Sequence, residues 1–142
     1  MEYLIHHTAI CVNDFDRALS FYIDFLGFEK EGEMDDRKEP NLSEVVGLKD
    51  ACIRWAMLKL GSHRIELFKY YSPQGSVEPR RQCDFGYNHL GIQVEDVDAT
   101  YKKCKEKNYK TLSEPKVLRG GKTKVFYVCE PEGAVTEFIQ FL

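Results

Sequence analysis

The sequence lacks the long apolar run that a membrane crossing requires: nothing in its 142 residues approaches ~20 consecutive apolar positions. It also lacks an excess of one charge. Twenty Lys and Arg stand against 23 Asp and Glu, for a formal net charge of −3. The longest basic clusters, Lys102-Lys103-Cys104-Lys105 and Arg80-Arg81, are too short for the stripe of a nucleic-acid surface. Neither membrane nor nucleic acid is therefore expected as a partner. Met1–Ile5 has no basic region and no long apolar stretch, so no secretory leader is expected. Cysteines are few and follow no pairing pattern. Cys11, Cys52, Cys83, Cys104 and Cys129 are odd in number and contain no C-x-x-C. That argues against a disulfide framework and against a cysteine-based zinc site, and for a reducing, cytoplasmic setting. Cys11, Cys104 and Cys129 lie in apolar-patterned stretches and are expected as buried filler. What is present is ordinary globular composition, 43% hydrophobic and 30% charged, enough for one compact domain or two small modules sharing a core.

The chain repeats itself. His7-Thr-Ala-Ile-Cys-Val-Asn-Asp-Phe-Asp16 aligns without a gap on His89-Leu-Gly-Ile-Gln-Val-Glu-Asp-Val-Asp98. Each copy reads as an alternating strand, an Asp, and a helix. Asp14 and Asp96 are suited to cap the helices, and Asp16 adds negative charge to the first turn. Ala18, Leu19, Tyr22, Phe25 and Leu26 form an apolar stripe at helical spacing, and Val97, Tyr101 and Cys104 form a second. Gly27 stands where a left-handed helix end belongs, and Asn108 takes that place in the second copy. Strands are expected near Phe28–Gly32 and over Cys52–Leu60 and His63–Tyr70, then over Tyr109–Leu112, Lys124–Cys129 and Ala134–Phe141. Leu60-Gly61-Ser62 and Glu130–Gly133 supply the turns. Glu33–Asp50 and Ser113–Lys122 read as irregular loops. The architecture is α+β: two β-α-β-β-β modules, residues 1–71 and 87–142, joined by a linker over 72–86. A module this small does not bury a whole sheet face alone, so the sheets are expected to pack or curl together into one domain of residues 1–142.

Each module carries one His on its first strand and one acid on its last: His7 with Glu66, and His89 with Glu137. Two imidazoles and two carboxylates suit one divalent ion of the Zn, Ni, Co or Fe type. Alternation places His7, Ala9 and Cys11 on one face and Ile10 and Val12 on the helix side. Likewise His89, Gly91 and Gln93 lie opposite Leu90, Ile92 and Val94. Glu66 points away from Ile65 and Leu67. A histidine on a strand is more often a structural or surface residue, and Arg64 is a candidate partner for a carboxylate in that strand. Recurrence of the pair in both copies is what raises the ligand reading. His6, adjacent to His7, is read as facing the other way and structural; His63 lies in a turn without a repeat partner.

These residues resemble the opening and later signatures of the vicinal-oxygen-chelate superfamily: His7-Thr-Ala-Ile-Cys-Val-Asn-Asp, Ala18–Tyr22 and Leu26-Gly27-Phe28-Glu29, then Arg64–Phe68, Asn88–Ile92 and Glu132–Phe138. The superfamily includes glyoxalase I, methylmalonyl-CoA epimerase, extradiol dioxygenases and bleomycin resistance proteins. The resemblance covers nearly the whole chain. It implies paired modules in a cupped, partly closed mixed sheet around a metal site, with His7, Glu66, His89 and Glu137 as ligands. It further implies a homodimer acting on a small-molecule substrate. The four-residue set is most similar to glyoxalase I, which implies a lyase or isomerase reaction. There a base, here expected to be Glu137, abstracts a proton and the metal stabilises the enediolate. An acyl-CoA epimerase or dioxygenase, and a non-catalytic small-molecule binder, are the alternatives. Four residues after His7, bacterial glyoxalase I carries a basic residue for the glutathione carboxylate; here the position is Cys11. Arg54, Arg64, Arg80, Arg81, Arg119 and Lys122 are the cations available to a substrate anion, each more often a solvated surface group. Gly120-Gly121 suits either a mobile lid or a plain turn.

Overall fold

A computed structural model describes residues 4–39, 41–76, 81–84 and 86–142. The chain divides into two compact units, Met1–Val77 and Glu78–Leu142, each built around a four-stranded mixed sheet.

The first unit runs β1 (Thr8–Cys11), α1 (Phe15–Ser20), β2 (Glu29–Arg37), α2 (Leu42–Val46), β3 (Cys52–Leu60) and β4 (His63–Ser72). The sheet order is β1-β4-β3-β2. Only the β1–β4 pair is parallel, with Ala9 opposite Glu66. Asp14 caps α1 by accepting from the Arg17 amide at 3.1 Å. The helix then widens into one π turn over Phe21–Phe25, where the Leu26 amide reaches back to the Phe21 carbonyl at 3.1 Å. That turn brings the neighbouring Phe21 and Tyr22 both into the core. The buried set is therefore Phe15, Ala18, Phe21 and Tyr22, while the expected stripe members Leu19, Phe25 and Leu26 are only partly buried. Gly27 ends the helix at φ +80.

The second unit runs β5 (Leu90–Gln93), α3 (Val97–Glu106), β6 (Lys116–Leu118), β7 (Thr123–Cys129) and β8 (Val135–Phe141), in the order β5-β8-β7-β6. Here β5 and β8 are the parallel pair, with Gly91 opposite Glu137. Asp96 caps α3 through the Ala99 amide at 2.9 Å, Val97 and Cys104 are fully buried, and Asn108 takes the left-handed end at φ 59.

The α+β class and the repeated topology stand as expected, and neither sheet closes on itself: β1 and β2 are edges of one, β5 and β6 of the other. Four expectations are corrected. The first edge strand continues through Glu33–Arg37, and α2 forms within the stretch read as loop. The strand expected over Tyr109–Leu112 is reduced to one bridge, Thr111 to Val128; the ladder partner of β7 is instead β6, inside the second expected loop. Both misplaced edges are polar or exposed and are held by backbone pairing, which alternation does not reveal. The start of the expected linker, Ser72, belongs to β4; residues 77–80 and 85 of that linker lie outside the described residues. Among the described residues no helix is long and apolar enough to cross a membrane.

Candidate metal-ligand pairs

In the first unit Ile10 and Val12 are buried on the helix side of β1 while His7, Ala9 and Cys11 are exposed. On β4, Ile65 and Leu67 are fully buried and Glu66 projects from the opposite face. His7 Nε2 lies 3.0 Å from Glu66 Oε2. The other carboxylate oxygen, Oε1, accepts from the indole N–H of Trp55. His7 Nδ1 faces His6 Nδ1 at 2.8 Å.

The second unit repeats the arrangement. His89 Nε2 lies 3.5 Å from Glu137 Oε2. Glu137 Oε1 accepts from the Tyr127 hydroxyl at 3.3 Å, and the same ring meets His89 edge to face at 5.1 Å. His89 Nδ1 is bound at 2.5 Å by the Asn88 side-chain oxygen. Burial and the Glu137 charge push the Tyr127 phenol above its ordinary range.

Each pair thus has one His nitrogen and one carboxylate oxygen face to face. The remaining nitrogen and oxygen are held by neighbours. Two donors each about 2.1 Å from one ion stand about 3.0 Å apart at a right angle and about 3.4 Å at the tetrahedral angle. Both pairs match that spacing, and partners on the far side of each ligand are what orient metal-binding His and Glu. The donor set fits a divalent ion. Among the described residues no three or more His, Cys, Asp or Glu side chains gather into a metal-holding group; within each unit the convergence is a pair.

Other expected residues fall elsewhere. His6 does not face away from His7: strand β1 begins only at Thr8, so alternation does not govern residues 6 and 7, and the two rings meet at 5.1 Å. Arg64 does not pair with Glu66. It binds Glu31 at 2.6 and 3.1 Å, and this holds Glu31 below the usual carboxylate range. Arg54 bridges Asp16 and Glu33 over the Phe15 ring, and Arg81 binds Asp84. Arg80 lies outside the described residues. Arg119, Gly120 and Gly121 form a tight left-handed turn at φ 52, 63 and 91. Cys104 is buried and Cys129 partly so, but Cys11 is exposed on the His7 face, a correction that the alternation of β1 explains. The sequence pattern does not single out the aromatic donors Trp55 and Tyr127. Tyr127 sits directly opposite Glu137, whereas Met57 sits opposite Glu66 and Trp55 reaches it from the diagonal position, so the repeat carries no common signal for them.

Residues 4–138 match the family model described as Glyoxalase/Bleomycin resistance protein/Dioxygenase superfamily. The chain is 30% identical over 142 residues to a 2-epi-5-epi-valiolone epimerase of Actinomyces sp, covering 95% of this chain and 78% of that protein. It is 29% identical over 134 residues to a probable lactoylglutathione lyase of Synechocystis sp., covering 94% and 92%. A glyoxalase family protein from Bacillus cereus superposes with a TM-score of 0.87 at 22% identity, covering 100% of this chain and 96% of that one, a likeness that concerns the fold.

Proposed function

Because the chain belongs to the glyoxalase, bleomycin resistance protein and dioxygenase superfamily, we propose that His7, Glu66, His89 and Glu137 together hold one divalent metal ion, and that the protein is a lyase or isomerase of glyoxalase type acting on a small oxo, thioester or hemithioacetal substrate. The observation that supports it is the duplicated pair. Each unit presents a His nitrogen and a Glu oxygen at 3.0 or 3.5 Å, the spacing of two ligands on one ion.

When bound, the ion supplies Lewis-acid stabilisation of the negative charge that develops on substrate oxygen. Glu137 is the base. It takes the proton from the carbon beside the carbonyl, the electron pair moves onto the carbonyl oxygen, and the same carboxyl group returns the proton to the former carbonyl carbon while the hydroxyl proton of the hemithioacetal passes to the neighbouring oxygen. Tyr127 orients Glu137 by donating to Oε1 at 3.3 Å, which leaves Oε2 toward His89. His7 and His89 act as neutral imidazole ligands, and Asn88, by occupying His89 Nδ1, fixes which nitrogen is free.

A second reading, an epimerase, is favoured by the 30% identity to the Actinomyces epimerase and begins with the same proton abstraction, an acid other than Glu137 then returning a proton to the opposite face of that carbon. Elemental analysis of gently purified protein, beside Glu66→Gln, tests the metal. About one divalent ion per chain, reduced in the variant, is expected. Turnover of the methylglyoxal–thiol hemithioacetal, against epimerisation of a chiral acyl-CoA, separates the two reactions. Failure to bind Zn, Ni, Co or Fe(II) after their addition overturns the metal-dependent reading and points to a small-molecule binder.

A further inference from the structure

The two oxygens of Glu66 have different partners. Oε2 faces His7, and Oε1 accepts from the Trp55 indole. The nearby cations are engaged elsewhere: Arg37 holds Glu39 through two contacts, 2.6 and 2.9 Å, and Arg64 holds Glu31. Met57, directly across the ladder from Glu66, has no donor. An indole N–H donates and never accepts, so it ties up one oxygen of an ionised carboxylate and leaves the other to coordinate.

The indole itself is fixed by its surroundings. It packs against the small cluster of Leu42, Ala51 and Ile53 that α2 and β3 build. On the neighbouring strand Gly32 gives it room: a Cβ there would come within 3.3 Å of Trp55 Cη2. Position 32 is thus open to glycine because the ring fills the space that a side chain would take.

We propose that Trp55 is a positioning residue that holds Glu66 as a one-oxygen ligand, with Gly32 and α2 aiming the indole. This rests on the metal reading above. Without the indole N–H, Oε1 is released, and the carboxylate is able to present both oxygens to the ion, raising its coordination number.

The test uses Co2+ as the probe, titrated into the metal-free full chain and followed by calorimetry and by visible absorption, for wild type, Trp55→Phe, Gly32→Ala and Phe68→Leu. Phe68 is paired with Trp55 across β3–β4 and serves as the packing control. Loss of an orienting contact behind a ligand costs about 10- to 100-fold in metal affinity. Trp55→Phe is expected to show that loss, with weaker cobalt bands because band intensity falls as coordination number rises. Gly32→Ala, which leaves the donor present but displaced, is expected to show a several-fold loss, and Phe68→Leu to keep the wild-type spectrum. Affinity within twofold and an unchanged spectrum in Trp55→Phe would make Trp55 a packing residue and overturn the proposal while the metal reading stands. If Trp55→Phe does not fold, Gly32→Ala decides, and wild-type binding there overturns the proposal. Absence of Co2+ binding by the wild type removes the metal reading and this inference together.

Discussion

Gly91 stands opposite Glu137 on the parallel β5–β8 ladder, and a Cβ at that position would lie 3.5 Å from Glu137 Oε2. In the other unit the same ladder position is Ala9, opposite Glu66. The carboxylate proposed as base therefore has open space on one side, and the one proposed as a fixed ligand has a methyl group beside it. Gly91→Ala meets only ordinary contact and needs no unusual backbone. It is expected to leave the unfolding midpoint nearly unchanged and to lower kcat several-fold with little change in metal content. Unaltered kcat would show that the space plays no part.

Trp55 is the chain's single tryptophan, and it hydrogen-bonds a proposed ligand. Its fluorescence is expected to report binding directly: Ni2+ added to metal-free protein should quench it in a saturable way, at about one ion per chain. Glu66→Gln should remove saturation, whereas Glu137→Gln should keep much of the quench while abolishing turnover. A quench that survives Glu66→Gln unchanged would mean that the ion binds elsewhere.

The two helix caps give a stability test that is independent of function. Asp14 and Asp96 each accept a first-turn amide, at 3.1 and 2.9 Å. Either Asp→Ala variant is expected to cost about 1 kcal/mol, read from chemical denaturation. The double variant shows whether the two units unfold as one cooperative system or in separate transitions.

Burial pushes the Cys104 thiol up to about 11, the residue being fully enclosed on the inner face of α3. A raised folded-state value means that the neutral thiol is favoured by folding. The stabilisation is complete below the unfolded value near 8.5 and is lost as pH rises from there through about 11. Stability should decline over that window, with about 1 to 2 kcal/mol of the loss at pH 10 due to this group. The slope should be shallower in Cys104→Ala, whatever that variant's lower starting stability. A thiol reagent at pH 8 should label the exposed Cys83 well before Cys104.

The sequence made the interior strands legible because apolar alternation marks residues that one face buries. Cys52–Leu60 is the strand it predicts, with Ile53, Ala56 and Leu58 enclosed. It hid β2 beyond Gly32 and the whole of β6, because Glu33, Met34 and Arg37, interrupted by a bulge at Asp35-Asp36, and Lys116-Val117-Leu118 are edge segments held by backbone pairing rather than burial. The π turn was invisible for a related reason: helical spacing assumes a fixed period, and Phe21 and Tyr22 are both buried only because the period locally changes. The His–Glu pairs were legible through repetition, and the two partners of each pair are adjacent in space. The aromatic donors were not, since Tyr127 and Trp55 occupy different ladder positions relative to their carboxylates.

The parallel pairing of first and last strands has a consequence for how the protein comes into being. In each unit the His and the Glu sit near opposite ends of the segment. They meet only when β4 docks beside β1, or β8 beside β5, the contacts of greatest sequence separation in their unit and so the costliest in loop closure. A nascent chain emerging from the ribosome has no donor pair until nearly a whole unit has been synthesised. Under the proposed metal reading, uptake of the ion follows the closing of these ladders, and a truncated or misregistered unit lacks the donor pair.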